Sequence, residues 1–289
     1  MSLQQASGAS LAAFLAAVDA EFIGGRGRSG SLATRYPAAF PPHGQVWLMQ
    51  DGSELRAGLC VRRFEWPRPE GCWRGAMIGM VWTAPAWRGQ GLGAELMRRA
   101  DADLQAGACD FAVLWTGQPA FYEKLGWLPA DCGLWGRADA PVLPVSPPPD
   151  VSGHPVTEAD AATWQLPGEQ PPVLSGLLRG RTCPLPATGV ERWWAEAGAD
   201  ALIGVTDAGR ILYEWQGSDA GRARLWHALQ ARPGSLSVNE RAGSPGQTWL
   251  DTHARLTWQP QRLALWRSYT SRLSLADFSQ WYVHYLDRI

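Results

Sequence analysis

Arg88-Gly89-Gln90-Gly91-Leu92-Gly93-Ala94 follows an apolar run, Met80–Thr83, and a turn carrying Pro85. A stretch with helical spacing comes next. Glycines let main chain approach a ligand closely, and the first N–H groups of a helix carry partial positive charge. The chemistry this allows is the grip of several amides on one phosphate or pyrophosphate. No Gly-Lys-Ser/Thr follows, which excludes a Walker A loop. Gly89-x-Gly91-x-x-Ala94 fits a relaxed dinucleotide fingerprint, but that fold needs an acid at the end of the next strand. Asp110 stands before the strand Phe111–Trp115, at its wrong end. A nucleotide-dependent oxidoreductase is therefore the lesser reading, and a helix-capping turn without ligand the plainest one.

The pattern Val81-x-Thr83-x-Pro85-x-x-Arg88-Gly89-x-Gly91-x-Gly93 resembles the acyl-CoA-binding motif of the GNAT superfamily of N-acetyltransferases. About thirty residues on, Phe121-Tyr122-Glu123-Lys124-Leu125-Gly126-Trp127 is similar to the family's Phe-Tyr-x-x-x-Gly-Phe segment. The resemblance covers residues 40–135. It implies that the N–H groups of Gly89, Gln90, Gly91, Leu92, Gly93 and Ala94 hold the pyrophosphate of acetyl-CoA, with Arg88 assisting or bracing the loop. Main chain at Val81, Trp82 and Thr83 would pair with the pantetheine amides like an added strand, one N–H polarising the thioester carbonyl. Gln118 and Phe121 would complete the cofactor wall, Phe121 by packing. Tyr122 becomes the general acid toward the departing thiolate, a phenol near ~10 facing a thiol near ~8.5. The plainer alternative is a packed tyrosine that orients the cofactor.

An amine acceptor arrives as an ammonium and must lose a proton before attack. Some relatives use a glutamate on the strand before the loop, whereas residues 77–83 hold no acid. Glu65, Glu54, Asp131, His43 and the carboxylate of Ile289 are candidates, each with a structural reading beside it, and a water chain is another route. None is singled out. His154, His227, His253 and His284 are dispersed, so no metal is expected. No G-x-S-x-G elbow occurs and Cys109 reads as core, which favours direct transfer over an acyl-enzyme.

Composition narrows the partners. A formal charge of −1 argues against nucleic acid, and no apolar run reaches a membrane span. Cys60, Cys72, Cys109, Cys132 and Cys183 form no CxxC pair, and no leader is evident, so a reduced cytoplasmic chain with buried thiols is expected. The 17 tryptophans serve packing first and suit a cationic or aromatic guest second. Oligomeric state has no signature here.

Around the motifs, apolar spacing predicts a helix over residues 10–23 capped by Ser10, a mobile loop over 24–30, and strands over 45–50, 55–66 and 73–83. A helix follows over 91–105, with Leu92, Leu96, Ala100 and Leu104 as its buried stripe and Arg98, Arg99, Asp101 and Asp103 facing solvent. Strand 111–115 should run parallel to strand 73–83, and 120–125 reads as a short helix. Six prolines between 138 and 155 suggest a stiff connector. The expected domains are therefore a GNAT acetyltransferase domain at 1–140, a linker at 141–155 and a second α/β domain at 156–289. In the second half, Thr157–Asp160 signals a helix start and 191–197 a helix. A hairpin is expected over 201–215, a helix over 221–230, strands over 236–239 and 262–268, and a final helix over 275–285. No Arg-x-x-Gly-x-Gly recurs. This half is either a degenerate GNAT copy or an unrelated fold. The fold class expected is α/β, a mixed, mostly antiparallel twisted sheet flanked by helices, followed by that second domain. The function expected is acetyl-CoA-dependent transfer to a primary amine of a small molecule or peptide; the alternative is a non-catalytic acyl-CoA sensor or scaffold. The acceptor cleft would lie beside the splayed strands, the first helix and the loop at residues 26–32.

Overall fold

The computed structural model describes residues 3–27, 30–68, 71–138, 147–157, 159–160, 164, 189–206 and 209–289. Its strands are β1 (Leu3–Gln5), β2 (Gln45–Asp51), β3 (Glu54–Arg68), β4 (Gly71–Thr83), β5 (Phe111–Trp115), β6 (Leu128–Pro129), β7 (Gly133–Ala138), β8 (Val151–Pro155), β9 (Val190–Ala195), β10 (Ala199–Thr206), β11 (Gly209–Gly217), β12 (Ser235–Arg241), β13 (Leu256–Pro260) and β14 (Ala264–Ser268). Its helices are α1 (Gly8–Phe22), α2 (Leu32–Arg35), α3 (Leu92–Ala106), α4 (Pro119–Glu123), α5 (Asp219–Gln230), α6 (Pro245–His253) and α7 (Leu275–Phe278).

The chain divides into two compact units, one of residues 1–130, 263–279 and 288–289, the other of residues 131–262 and 280–287. The first unit holds a seven-stranded sheet in the order β1-β2-β3-β4-β5-β14-β6. Strands β1 to β4 run antiparallel, and β4 and β5 are parallel. Helix α3 connects that parallel pair and buries Leu96, Ala100 and Leu104 with Met97 against Leu59, Val61, Ile78 and Leu114. Asp101 departs from the solvent-facing expectation. It is buried, accepts from Tyr269 Oη at 2.7 Å and pairs with Arg267 at 3.4 Å, both supplied by chain more than 160 residues on.

The second unit has seven strands in the order β8-β9-β10-β11-β12-β7-β13. The plan is the same. Four strands run antiparallel, β11 and β12 are parallel, α5 connects them, and a strand from elsewhere in the chain precedes the edge strand. The second half thus repeats the strand order of the first.

Several sequence-based boundaries are corrected. Residues 191–197 do not form a helix; β9 occupies them, because Trp193 and Ala195 alternate into the core while pairing with β10. The final helix ends at Phe278, and beyond it Trp281, Tyr282 and Val283 are all buried, which suits an extended segment covered on both sides. Ser10 is not the cap of α1: Ser7 is, and Ser10 Oγ accepts from the Ser7 N–H at 3.1 Å. Residues 24–26 form a 3-10 turn within the expected loop. Strand β7, expected in the first domain, pairs in the second sheet, and Val151–Pro155, expected in the linker, is edge strand β8 of that sheet. Residues 139–146 lie outside the described ones. The halves also exchange strands: β14 pairs with β5 and β6, and β7 pairs with β12 and β13. A sheet slot selects on backbone pairing and side-chain alternation, and neither records distance along the chain. Thr157 and Asp160 cap each other, through Thr157 N and Oγ1 to Asp160 Oδ2 at 2.9 and 2.7 Å, and residues 161–163 lie outside the described ones.

Candidate functional site

Strand β4 creates the opening. It pairs with β5 only at Gly75↔Phe111, Ala76↔Ala112 and Met77↔Val113. On its other side the register with β3 shifts between Gly58↔Trp82 and Cys60↔Gly79, so Met80 and Val81 oppose Leu59 alone. Met80 takes φ +51°, left-handed backbone inside a strand. This is a bulge, which bends a strand and increases its twist. Pairing with β5 has already ended at Met77, so residues 78–83, the bulge among them, have no β5 partner. A Cβ on Gly79 would collide with the main-chain carbon and oxygen of Ile289, which stand against the strand there.

The glycine-rich loop continues from β4 through the 3-10 turn Pro85–Trp87 into α3. Gly89 and Gly91 have φ +76° and +79°, and a Cβ at either would meet nothing within 4 Å. Gly91 is the N-cap of α3, and the first helical bond runs from Glu95 N to Gly91 O at 3.0 Å. Among the described residues, the N–H groups of Gly89, Gln90, Gly91, Leu92, Gly93 and Ala94 reach no acceptor. Six consecutive donors at a helix start are what an anion site requires. The donor set therefore fits a pyrophosphate.

Side chains hold this loop from outside and leave its amides open. Arg88 Nε donates to Thr83 O at 2.9 Å, and its guanidinium pairs with Glu21 on α1. Glu21 Oε2 also accepts from Trp82 Nε1 at 2.9 Å. Arg88 is thus a brace between α1 and the end of β4. Gln90 Nε2 donates back to Ala86 O at 3.1 Å, and Arg56 stacks on Trp87 at 3.8 Å. A Cβ on Gly93 would lie 3.3 Å from Thr83 Oγ1 and 3.6 Å from Phe121 Cζ, so the loop, the end of β4 and α4 converge at Gly93.

Helix α4 carries the second motif. Phe121 is exposed and meets Tyr122 edge-on at 4.9 Å. Tyr122 is half-buried against the same core cluster as Val81 and Leu92. Its hydroxyl has no hydrogen-bond partner among the described residues, and burial pushes its pKa up to about 12. Tyr122 O accepts from Leu125 N and Trp127 N at 2.9 and 3.1 Å. Arg267 of β14 donates to Leu125 O and fills the space beside Gly126, whose φ is +87°. Gln118 starts α4, its N–H bound to Thr116 Oγ1 at 3.0 Å and its side chain exposed.

The base candidates separate. Glu65 is exposed opposite Arg74, far along the ladder from Ala57↔Thr83. Glu54 is engaged by Arg56 and by Trp87 Nε1 at 3.0 Å. Asp131 belongs to the second unit and accepts from Gly133 N at 2.8 Å. His43 is exposed in a turn. Of the five, Ile289 has its main chain against Gly79, just before the bulge. The second unit offers no counterpart of the loop: Ser218 Oγ accepts from Gly221 N at 3.1 Å, and Asp219 puts a negative charge in the first turn of α5. Where β11 and β12 part, Tyr285 stacks on Tyr213 at 4.9 Å and Tyr282 donates to Asn239 Oδ1 at 2.7 Å.

Sequence reasoning did not find Glu21, the Met80 bulge or Arg267. No local pattern marks them, because each acts through a partner distant in the chain. Among the described residues no His, Cys, Asp and Glu cluster could hold a metal, and no helix is long and apolar enough to cross a membrane. Burial raises the thiol pKa of Cys60 and Cys109, whereas Cys72 is exposed, against the expectation of buried thiols; Cys183 lies outside the described residues.

Residues 13–130 match the family model described as Acetyltransferase (GNAT) domain. Among solved structures, a probable N-acyltransferase from Enterococcus faecalis V583 matches with TM-score 0.64 and 13% identity, over 93% of this chain and 72% of that one. A GCN5-related N-acetyltransferase from Anabaena variabilis gives TM-score 0.61 at 10% identity, over 93% and 73%. A tandem GNAT protein from the clavulanic acid biosynthesis pathway gives 0.53 at 11%, over 93% and 98%. These are likenesses of fold. No match appears among curated protein sequences.

Proposed function

We propose, from the match of residues 13–130 to the GNAT acetyltransferase domain model, that the chain is an acetyl-CoA-dependent N-acetyltransferase acting on a primary amine of a small molecule or peptide. One observation carries the reading: six adjacent N–H groups, residues 89–94, lie at a helix start with no protein acceptor among the described residues. Acetyl-CoA supplies the acetyl group as an activated thioester. The six amides bind its pyrophosphate, and Arg88 keeps their loop in place. Main chain at Val81 and Trp82, turned by the Met80 bulge, orients the pantetheine arm and offers an N–H to the carbonyl. The Thr83 carbonyl is already engaged by Arg88. Phe121 and Gln118 stand on the loop side of α4.

With its pKa near about 12, the Tyr122 hydroxyl keeps its proton throughout the neutral range. A free thiol titrates near ~8.5, so complete transfer from Tyr122 to a thiolate is uphill by about 5 kcal/mol. Tyr122 therefore works by donating a hydrogen bond to the sulfur position, and the proton follows only as that sulfur gains basicity. The second unit contributes fold without a cofactor loop. A cytoplasmic setting belongs to the same reading; none of the four described cysteines is in a disulfide.

The test is thermal stabilisation by CoA, ranked against NAD and ATP, followed by thiol release from acetyl-CoA across a panel of amines. A ligand of the native state raises the melting temperature. A CoA shift above those of NAD and ATP, with amine-dependent thiol release, supports the assignment. CoA binding without turnover leaves a sensor or scaffold, and no CoA shift removes the cofactor.

A further inference from the structure

The second unit carries a cavity of about 570 Å³ on one face of its sheet, distant in sequence from both motifs. Register assembles it. Trp194, Asp200 and Gln216 are direct neighbours on β9, β10 and β11, and His154 is paired with Arg192 two residues along. Residues opposite one another on adjacent strands share a face, as do residues two apart. All five line the cavity, over a floor of glycine and alanine at its open end.

The polar groups are asymmetric. Arg192 is spent: it donates to Asp160 Oδ1 at 2.8 Å and to Asp200 Oδ2 at 3.2 Å. Two carboxylates against one guanidinium leave the cluster negative. Asp200 Oδ1 accepts nothing among the described residues. His154 Nδ1 lies 2.7 Å from the Pro155 carbonyl and 3.7 Å from Asp160 Oδ2, so that edge of the ring is occupied. Trp194 is 37% exposed, one of few large apolar side chains that open, and its ring meets His154 at 5.3 Å. The cavity thus offers an aromatic wall and acceptors, with its one strong donor already paired.

We propose that this face is a binding site for an organic ammonium compound, the protonated amine on Asp200 and the carbon skeleton on the Trp194 indole, its direct neighbour across the strands. An ammonium is attracted both by a carboxylate and by the face of an indole. The volume falls in the range of small-molecule sites. A carboxylate or phosphate ligand meets two carboxylates, Asp200 and Asp160, against one guanidinium already bound to both, and is disfavoured. The site is independent of the cofactor loop, and it stands whether or not the chain transfers acetyl groups.

The experiment is calorimetric titration of the full chain, without CoA, using benzylamine, benzyl alcohol and benzoate at neutral pH. Benzylamine, protonated there, is expected to bind, and the other two not. Asp200→Asn and Trp194→Ala should each weaken it about tenfold or more, a loss of ~1.4 kcal/mol. Trp194→Phe, which keeps a ring face, should retain most of the affinity. Melting curves like the parent's show that the variants fold. The proposal is overturned by equal binding of benzyl alcohol or benzoate, by affinity unchanged in both variants, or by no benzylamine binding up to about 10 mM.

Discussion

Replacing Gly91 by alanine separates a ligand-binding loop from a mere helix cap. Gly91 sits at φ +79°, and a Cβ there meets no protein atom within 4 Å. The cost to folding is then backbone strain alone, about 1 kcal/mol for an L-residue held left-handed. That lowers the melting temperature by roughly 2–4 °C for a chain of this size class. The cost to cofactor binding is separate. The new methyl group stands in the space the amides of residues 89–94 face, and moving the pyrophosphate off two of them loses two charge-assisted bonds. At ~1.5–3 kcal/mol each, CoA affinity should fall at least about a hundredfold. The assays are CoA titration by calorimetry and thermal melting of the same two samples. Unchanged CoA affinity together with the small loss of stability would show that the loop only caps α3, and the reasoning would fail. Gly89→Ala, at φ +76° with equal open space, is the matching control on the other side of the loop.

Four further outcomes follow from the geometry. Tyr122→Phe removes a hydroxyl that no described residue binds, so stability and CoA affinity should hold while turnover drops on the order of tenfold to a thousandfold; an unchanged rate takes Tyr122 out of the mechanism. Because its pKa is near about 12, the parent's rate should show no falling limb from this group below about pH 10, checked by a pH–rate profile. Glu21→Gln uncouples Arg88 from α1, and CoA affinity should weaken a few-fold, by about 1 kcal/mol, without loss of fold; binding equal to the parent's would limit Glu21 to the Trp82 contact. Asp160 supplies a pH test. Burial opposes its charge, but hydrogen bonds from Thr157 and Arg192 prevail and hold its carboxyl down at about 2. A depressed folded pKa stabilises above the ordinary carboxylate value and is lost as pH falls toward 2. Asp160→Asn should therefore cost about 2 kcal/mol at pH 6 and progressively less in urea melts at lower pH; an equal cost at both ends refutes the pairing.

From the order of its residues alone, the chain already marked its glycine-rich loop at the start of a helix. Glycine spacing at 89, 91 and 93, an apolar strand before and a four-residue apolar stripe after it are local properties, and local properties survive in sequence order. The antiparallel start and the parallel strand at 111–115 were legible for the same reason. Tertiary structure decided the rest. Residues 191–197 carry charges and alanines at spacings a helix tolerates, and only pairing with β10 makes them a strand. Asp101 looked solvated until Tyr269 and Arg267 covered it, and of the two roles open to Arg88, assisting the anion or bracing the loop, the contacts with Glu21 and the Thr83 carbonyl fit the brace. The exchange of β7 and β14 between sheets left no trace in composition, since hydrogen-bonded pairing acts between segments that are close in space and is indifferent to how many residues lie between them.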